Sequence, residues 1–600
     1  MKKFRDRLVP RFIRLTKPYW FSREKWLARG LLAFLVVLML SNTGLLVLLN
    51  QQTGEFSSAL AARDPDRYWK SIYNTIGIVI FAVPVYGLYY YIRDKLTIHW
   101  RRWMTSQFLK SYFTNKAFYK LQIQRTDIDN PDQRISQDVD TFTGKAIYFL
   151  LIFIEAILQL IAFCGVLWSI STTLVMVLVL YATLGTLATA LLFGRKLVGI
   201  NYTQLRREAD LRFSLVRVRE NAESIAFYRG EDQESDVIMR RFDEAFRNYK
   251  RLIKWQFGLN IFQYAFTTAA LVIPGVILAR SVMAGDIEVG RVVQATGAFA
   301  AIFKALNTVV EKFDALSLFG AGIGRLDRFR RSLDAAGKPP ADDLHHIQTS
   351  EGPLIEVKNV TLQTPDANRT LIKSLSLTLG EGNSLLIVGS SGGGKSSLLR
   401  ALAGLWDTGD GEMVRPGLDD MLFLPQRPYM IIGSLRAQLL YPRTSAKDVG
   451  DERIHEALEA VNLPHLIDRS GGLDAEEDWG RILSLGEQQR VAFARALLTD
   501  RPYVILDEAT SALDEENEAE LYELLAESKA RMISVSHRPH LARYHSHVLV
   551  LGSDENWEVV SSAEYVDGMK KAGRSLAALP EGRVRKSRSS SKSGDRSVTP

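Results

Sequence analysis

Ile387-Val388-Gly389-Ser390-Ser391-Gly392-Gly393-Gly394-Lys395-Ser396-Ser397 lies between two apolar runs of opposite character. Leu385 to Val388 before it reads as a buried strand, and Leu398-Leu399-Arg400-Ala401-Leu402-Ala403 after it reads as the start of a helix. A glycine loop of the form G-x-x-x-x-G-K-[ST] in that strand–loop–helix setting is a phosphate loop. Glycines at Gly389, Gly392, Gly393 and Gly394 let backbone N–H groups close around phosphate oxygens, with Ser390, Ser391 and Ser397 beside them. The helix start adds partial positive charge. Lys395 is placed to reach the β- and γ-phosphates, and the Ser396 hydroxyl to ligate Mg²⁺.

Working outward, Tyr503-Val504-Ile505-Leu506-Asp507-Glu508 is an apolar strand that ends in two acids. Beside a phosphate loop, Asp507 is suited to hold Mg²⁺ directly or through water, and Glu508 to orient and deprotonate the attacking water. The surrounding region has the strand and helix pattern of an α/β domain. Leu354-Ile355-Glu356-Val357 and Leu375-Ser376-Leu377-Thr378-Leu379 read as strands that feed the loop.

Six hundred residues imply two or three domains. The first half differs in kind. Residues 31–54, 71–92, 171–194 and 255–279 carry no charge, and 146–170 carry one, Glu155. Each is long enough to cross a bilayer, which takes about 20 apolar residues. A sixth candidate, 286–315, is interrupted by Arg291, Lys304 and Glu311. Any single run could be a buried core helix; five together argue for a membrane domain. Lys and Arg number nine in 1–27, ten in 93–145 and fourteen in 194–256, against three in 51–70. That bias places both termini and both long loops in the cytoplasm. It also accounts for much of the net charge of +8, so no nucleic-acid partner is expected. Met1 to Lys25 reads as a cytoplasmic lead-in rather than a cleaved signal. The single cysteine, Cys164, lies in an apolar run and excludes an internal disulfide or a cysteine-based metal site.

The long loops are periodic. Trp100 to Tyr119 and Tyr202 to Tyr249 read as helices that extend the spans, and Asn130-Pro131 forces a turn between them. By spacing alone, Glu220 to Gly230 is equally an ordinary solvated helix face. The resulting organisation is a lead-in at 1–27, a six-helix membrane domain at 28–331, a linker with Pro339-Pro340 at 332–352, a P-loop domain at 353–570 and a basic, Ser-rich tail at 571–600. The tail reads as a passive solvated segment or one that touches anionic lipid.

Within its span, Glu155 stands about 13 Å deep, at ~1.5 Å per residue. A charge facing lipid there costs roughly 2.5–3.5 kcal/mol, so it should face the bundle interior. Gln159 follows one turn later on the same face. Glu155, Gln159 and Lys304 are therefore expected to line a solute path. The plain alternative is a protonated Glu155 and a Lys304 that snorkels to the cytoplasm.

Leu483-Ser484-Leu485-Gly486-Glu487-Gln488-Gln489-Arg490 before an apolar helix resembles the signature motif of ATP-binding-cassette (ABC) proteins, whose usual form is LSGGQ. Gln426 matches the family's Q-loop glutamine, Ser511-Ala512-Leu513-Asp514 its D-loop, and His537 its switch histidine. The resemblance implies that Ser484, Gly486 and Glu487, with Asp514, meet ATP bound by a second copy of the chain. It implies that Gln426 serves both metal and catalysis, and that His537 contacts the γ-phosphate. One position departs from the family. Val360 to Pro365 lacks the aromatic that usually stacks on adenine, which leaves the choice of ATP over GTP open.

The whole chain resembles a homodimeric half-transporter of the type-IV, exporter-like ABC fold. Asn130 to Ile135, Glu220 to Gly230 and the variant signature resemble the SbmA/BacA-like and related subfamily D transporters, and mark the first two as parts of coupling loops. Relatives handle acyl-CoA, cobalamin or hydrophilic peptides. The resemblance implies ATP-driven uptake of a cobalamin-like or peptide-like solute across a bacterial inner membrane. Export or flipping of a lipid or acyl compound, or ATP-driven gating without transport, are the alternatives.

Overall fold

The computed structural model describes residues 2–123, 130–337, 346–365, 367–442, 449–528, 530–552 and 555–572. The tail from Arg583 and the Pro339-Pro340 pair lie outside the described residues. The chain forms two compact units, Met1–Phe118 with Asp127–Gly337 and Tyr119–Thr126 with Lys338–Pro600.

The first unit is helical. Among the described residues, six helices are long and apolar enough to cross a membrane: Lys25–Ala62, Pro65–Ile123, Pro131–Ile170, Thr172–Gly194, Glu231–Met283 and Val289–Leu306. The interrupted sixth candidate is thus a span, though a shorter one than 286–315. A helix at Lys2–Trp20 precedes them, and Phe313–Ala336 follows. Apolar residues on every side of these helices suit lipid on one face and partner helices on the other. Phe163, Leu167, Leu178, Leu278, Phe299 and Phe303 form a shared core among the third to sixth spans.

The first and sixth spans meet along a seam of small residues. A Cβ on Gly290 would lie 2.0 Å from Gly54 O, so only glycine permits the approach. Ser58 Oγ accepts the Gly290 N–H at 3.1 Å, and Asn50 Nδ2 donates to Gln294 O at 3.0 Å. At one end of the seam, Arg67 bridges Glu55 at 2.7 Å and Glu288 at 2.9 Å.

The loop expectations hold in part. Asn130 is left-handed (φ 50°) and Pro131 opens the next helix. Arg134 and Arg325 both pair with the buried Asp138, at 2.9 and 2.8 Å, which ties this turn to the helix Phe313–Ala336. The helix expected over Tyr202 to Tyr249 is instead three: Arg195–Glu220, Ala222–Tyr228 and Glu231–Met283. The second break falls at Arg229 (φ 52°), whose left-handed backbone ends the short helix ahead of Gly230. Regular structure also takes up both ends of the expected linker 332–352. The preceding helix runs to Ala336, and a strand begins at Gln348.

The second unit is α/β. Its main sheet has six strands in the order Trp557–Ser561, His547–Leu551, Leu385–Gly389, Arg531–Val535, Tyr503–Asp507, Met421–Leu424. Only the first pair is antiparallel. Alternate residues feed the two faces. Leu386, Val388, Val504 and Leu506 join the core with the helix Leu485–Thr499, while Leu385, Ile387, Ile505 and Ile533 join the core with Lys395–Leu402. A smaller sheet orders Gln348–Glu351, Gly409–Arg415, Ile355–Gln363 and Thr370–Leu379. Both strands expected to feed the loop are therefore in this second sheet.

Candidate nucleotide site and its relatives

The strands Leu385–Gly389, Arg531–Val535 and Tyr503–Asp507 lie side by side and parallel. Their carboxyl ends therefore open at one edge, where ligands bind in open α/β sheets. The glycine loop, His537 and the acids Asp507 and Glu508 all leave the sheet at that edge.

The loop geometry demands glycine at two points. Gly389 has φ 151°, and a Cβ there would lie 2.3 Å from Leu551 O. Gly394 caps the helix Lys395–Leu402 with φ 90°, against Leu371 and Ile372. Lys395 Nζ donates to the carbonyls of Gly389 at 2.9 Å and Ser390 at 2.8 Å, so its ammonium is held inside the curve of the loop. Burial draws its pKa below the usual lysine range, with Glu508 and Asp507 opposing.

Ser396 Oγ donates to Asp507 Oδ1 at 2.9 Å. A hydroxyl and a carboxylate in contact are hard oxygen donors of the kind Mg²⁺ takes. Glu508 is gripped from two sides. Gln426 Nε2 donates to its Oε2 at 3.0 Å, and His537 Nε2 stands 3.1 Å from its Oε1. With Nε2 so used, the amide oxygen of Gln426 remains as an acceptor. Glu508 is left-handed (φ 50°), a costly backbone state for a residue with a Cβ, and its N–H is bonded to Val535 O at 3.0 Å. The strained backbone re-aims the carboxylate away from the strand direction.

The signature lies elsewhere in the unit. Ser484 is the N-cap of the helix Leu485–Thr499, which begins six residues before the apolar run that marks it in the sequence. Ser484 and Glu487 form a capping box, and Arg469 donates to Glu487 at 2.7 Å. Burial raises the Glu487 pKa, but Arg469 and Ser484 outweigh it and hold the carboxyl low. Oε2 is engaged in the cap and Oε1 by Arg469, so Glu487 shapes the helix start. Asp514 is likewise an N-cap, accepting the Asn517 N–H at 2.9 Å. Gly486 packs on Leu513 of the D-loop. Among the described residues, Ser484 and Gly486 make no hydrogen bond to the phosphate loop of their own chain.

Two residues escape a reading by motif. Gln489, fully buried, donates to Gln426 O at 2.9 Å and Ser511 Oγ at 3.3 Å, and accepts the Ala512 N–H at 3.1 Å. One amide thus joins signature helix, Q-loop and D-loop. Glu518, also buried, accepts from Thr510, from Arg538 at 2.9 Å and from His540 at 2.8 Å. It ties Thr510, just ahead of the D-loop, to the segment that carries His537. The available signal was position: Gln489 borders the signature, and Glu518 stands one turn beyond Asp514. An aromatic ring also reaches Val360 to Pro365 from elsewhere, since Trp406 Nε1 donates to Gln363 O at 2.8 Å.

In the membrane unit, Gln159 Nε2 donates to Glu155 Oε1 at 3.1 Å, as their spacing requires. Lys304 is exposed and forms no ion pair with Glu155 among the described residues. The structure brings together two of the three groups expected on a solute path.

Comparison with known proteins agrees with this geometry. The profile of ABC transporter transmembrane region 2 matches residues 15–283, and that of the ABC transporter domain matches 372–511. The chain is 37% identical to ABC transporter D family member 2, chloroplastic, of Arabidopsis thaliana, over 92% of its own length and 88% of the relative's. It is 32% identical to a lysosomal cobalamin transporter of Mus musculus, over 92% and 96%. A bacterial Atm1-family ABC exporter with ATP bound shares the fold, with a TM-score of 0.72 at 17% identity, over 92% of this chain and 99% of that one. These matches bear out the subfamily D side of the resemblance, not the SbmA/BacA-like side. With a helical membrane domain fused to an ATP-binding cassette and D-family relatives along nearly its whole length, the chain belongs to the ABC transporters.

Proposed function

We propose that the chain works as a homodimer that moves a cobalamin-like or peptide-like solute into a bacterial cell across the inner membrane, with both termini cytoplasmic. The observation that carries the catalytic part is the grip of Gln426 and His537 on Glu508, next to the contact between Ser396 and Asp507. Ser396 and Asp507, with the amide oxygen of Gln426, would hold Mg²⁺, which when bound neutralises phosphate charge. Glu508 takes a proton from water as its oxygen attacks the γ-phosphorus, and ADP leaves. Lys395 and the loop N–H groups hold the β- and γ-phosphates. His537 steadies the γ-phosphate and keeps Glu508 in place.

Ser484 and Gly486 complete the site of the partner copy, since a helix N-terminus suits a phosphate. Glu487, Gln489 and Asp514 act as positioning residues. Asn130 to Ile135 and Glu220 to Gly230 pass cassette movement to the spans. Phe227 and Tyr228, 79% and 87% exposed on their short helix, support that reading for the second stretch. Lys and Arg counts support the orientation, and the mouse relative supports cobalamin as a solute to test first.

The dimer is tested by mixing full-length chains that carry Ser484→Arg with chains that carry Lys395→Ala. Neither alone has a complete site; the heterodimer has one. ATPase activity should appear only on mixing. If mixing restores nothing, the composite site is wrong. ATP-driven uptake of cobalamin or a short peptide by proteoliposomes separates transport from regulation.

A further inference from the structure

The membrane unit encloses a cavity of about 210 Å³ that no nucleotide chemistry uses. Three helices build it by the same spacing rule. Met39 and Asn42 come from the first span, Tyr86, Tyr89, Tyr90 and Arg93 from the second, and Tyr148, Leu151, Ile152 and Glu155 from the third. The last two sets stand at i, i+3, i+4 and i+7, which places each on one helix face. Four tyrosine rings, one amide and two charges therefore converge within the bundle.

The two charges are not equivalent. Arg93 is already neutralised: it contacts Asp94 at 2.8 Å, and its guanidinium lies over the Tyr90 ring at 4.6 Å. Glu155 has Gln159 on one oxygen; its second oxygen accepts no hydrogen bond among the described residues, and the Lys304 charge reaches it only from a distance, without an ion pair. The Tyr86 and Tyr90 hydroxyls bond to each other at 2.9 Å, which turns those rings into a fixed wall. Tyr89 and Tyr148 have no hydroxyl partner among the described residues. Lys145 lies over the Tyr148 ring at 5.4 Å, so the cavity offers an open carboxylate oxygen, the ring faces of Tyr86 and Tyr89, and free phenolic acceptors. Such a set attracts a cation through charge and ring quadrupoles together, and repels an anion.

We propose that this cavity binds the ammonium group of an organic cation, and that it selects, of the two solute classes above, the peptide-like one, which carries such a group at its N-terminus. The proposal rests on the transport reading above. An amine dissolved in water and the headgroup of a choline lipid share this chemistry.

The test uses full-length protein in phosphatidylglycerol nanodiscs, without nucleotide, and radiolabelled benzyltrimethylammonium as the probe. Saturable binding is expected. Neopentylbenzene, the uncharged isostere, and benzenesulfonate should not displace the probe. Glu155→Gln should weaken binding by roughly tenfold or more, and Tyr89→Leu by several-fold. Equal competition by either control, or unchanged affinity in a Glu155→Gln protein of normal size-exclusion profile, overturns the site. If that variant does not fold, Tyr89→Leu and the wild-type competition decide. Weaker probe binding in phosphatidylcholine discs assigns the lipid headgroup; unchanged binding assigns a water-borne amine. Because no nucleotide is present, loss of binding leaves the ATP-driven cycle standing. Binding without ATP-driven uptake of the probe overturns transport and leaves the site.

Discussion

The cassette and the membrane domain treat their polar groups in opposite ways. In the cassette, the groups at the nucleotide edge hold one another: Ser396 with Asp507, Gln426 and His537 with Glu508, Gln489 with two loops at once. In the membrane domain, Glu155 keeps one oxygen open and Tyr89 and Tyr148 hold no hydroxyl partner among the described residues. The contrast follows from surroundings. A sheet edge in water can hold its side chains in place with hydrogen bonds and still present loop N–H groups to a ligand. A solute cavity among apolar helices has few polar groups, and those already satisfied cannot recognise a solute.

The sharpest way to break this contrast is at Glu508. Glu508→Gln keeps the hydrogen-bonding shape but cannot take a proton. Steady-state ATPase activity should fall by ~10²–10⁴-fold while nucleotide binding survives. Near-normal turnover would show that the gripped carboxylate is not the base.

The cassette should also be sensitive to acid. His545 bonds to Leu541 O and Ser534 Oγ, each at 2.9 Å, and burial pulls its pKa from 6.5 down to about 4. The native state holds it neutral while the unfolded chain takes up a proton. Its stabilising contribution is thus complete above pH 6.5 and is lost as pH falls to about 4, by about 3 kcal/mol at most. Protection factors at Leu385–Gly389 and Arg531–Val535 in the full-length protein, which correct exchange for its intrinsic pH dependence, should fall through that window. His545→Gln should flatten the response. A wild-type profile level from pH 6.5 to 4 would remove this difference between the halves.

Gln489→Leu should cost about 1–3 kcal/mol, because it strands the Ala512 N–H and frees two loops. The expected reading is a fall in kcat greater than the change in KM for ATP, with partial rescue by Gln489→Asn. Equal loss in both would make Gln489 a plain core residue. The smallest effect is expected at Arg67→Ala. Its pairs with Glu55 and Glu288 are exposed, so stability should drop by no more than about 1 kcal/mol. A larger drop in thermal unfolding would mean that the outer seam is as tightly specified as the cassette.

Much of the cassette was legible because its signals are local. A strand, a glycine loop and a helix start are adjacent in sequence, and the acids directly follow an apolar run. Gln489 was not legible, since its three partners come from positions 426, 511 and 512 and meet only once the sheet is formed. The spans were legible by length and charge. The broken helix at Arg229 and the helical start of the expected linker were not. Left-handed backbone at a non-glycine residue leaves no compositional trace, and Ser332 to Ala336 merely continues a helix whose contacts lie far away in sequence.

By itself, the sequence determined the family, the six spans, the nucleotide chemistry and the order of the motifs. Each depends on neighbours within a few residues or on gross polarity. Only the tertiary structure decided that Glu155 and four tyrosines share a cavity while Lys304 stands outside its lining. Faces of separate helices meet by packing, and packing is a property of side-chain shape across the whole bundle rather than of any one stretch.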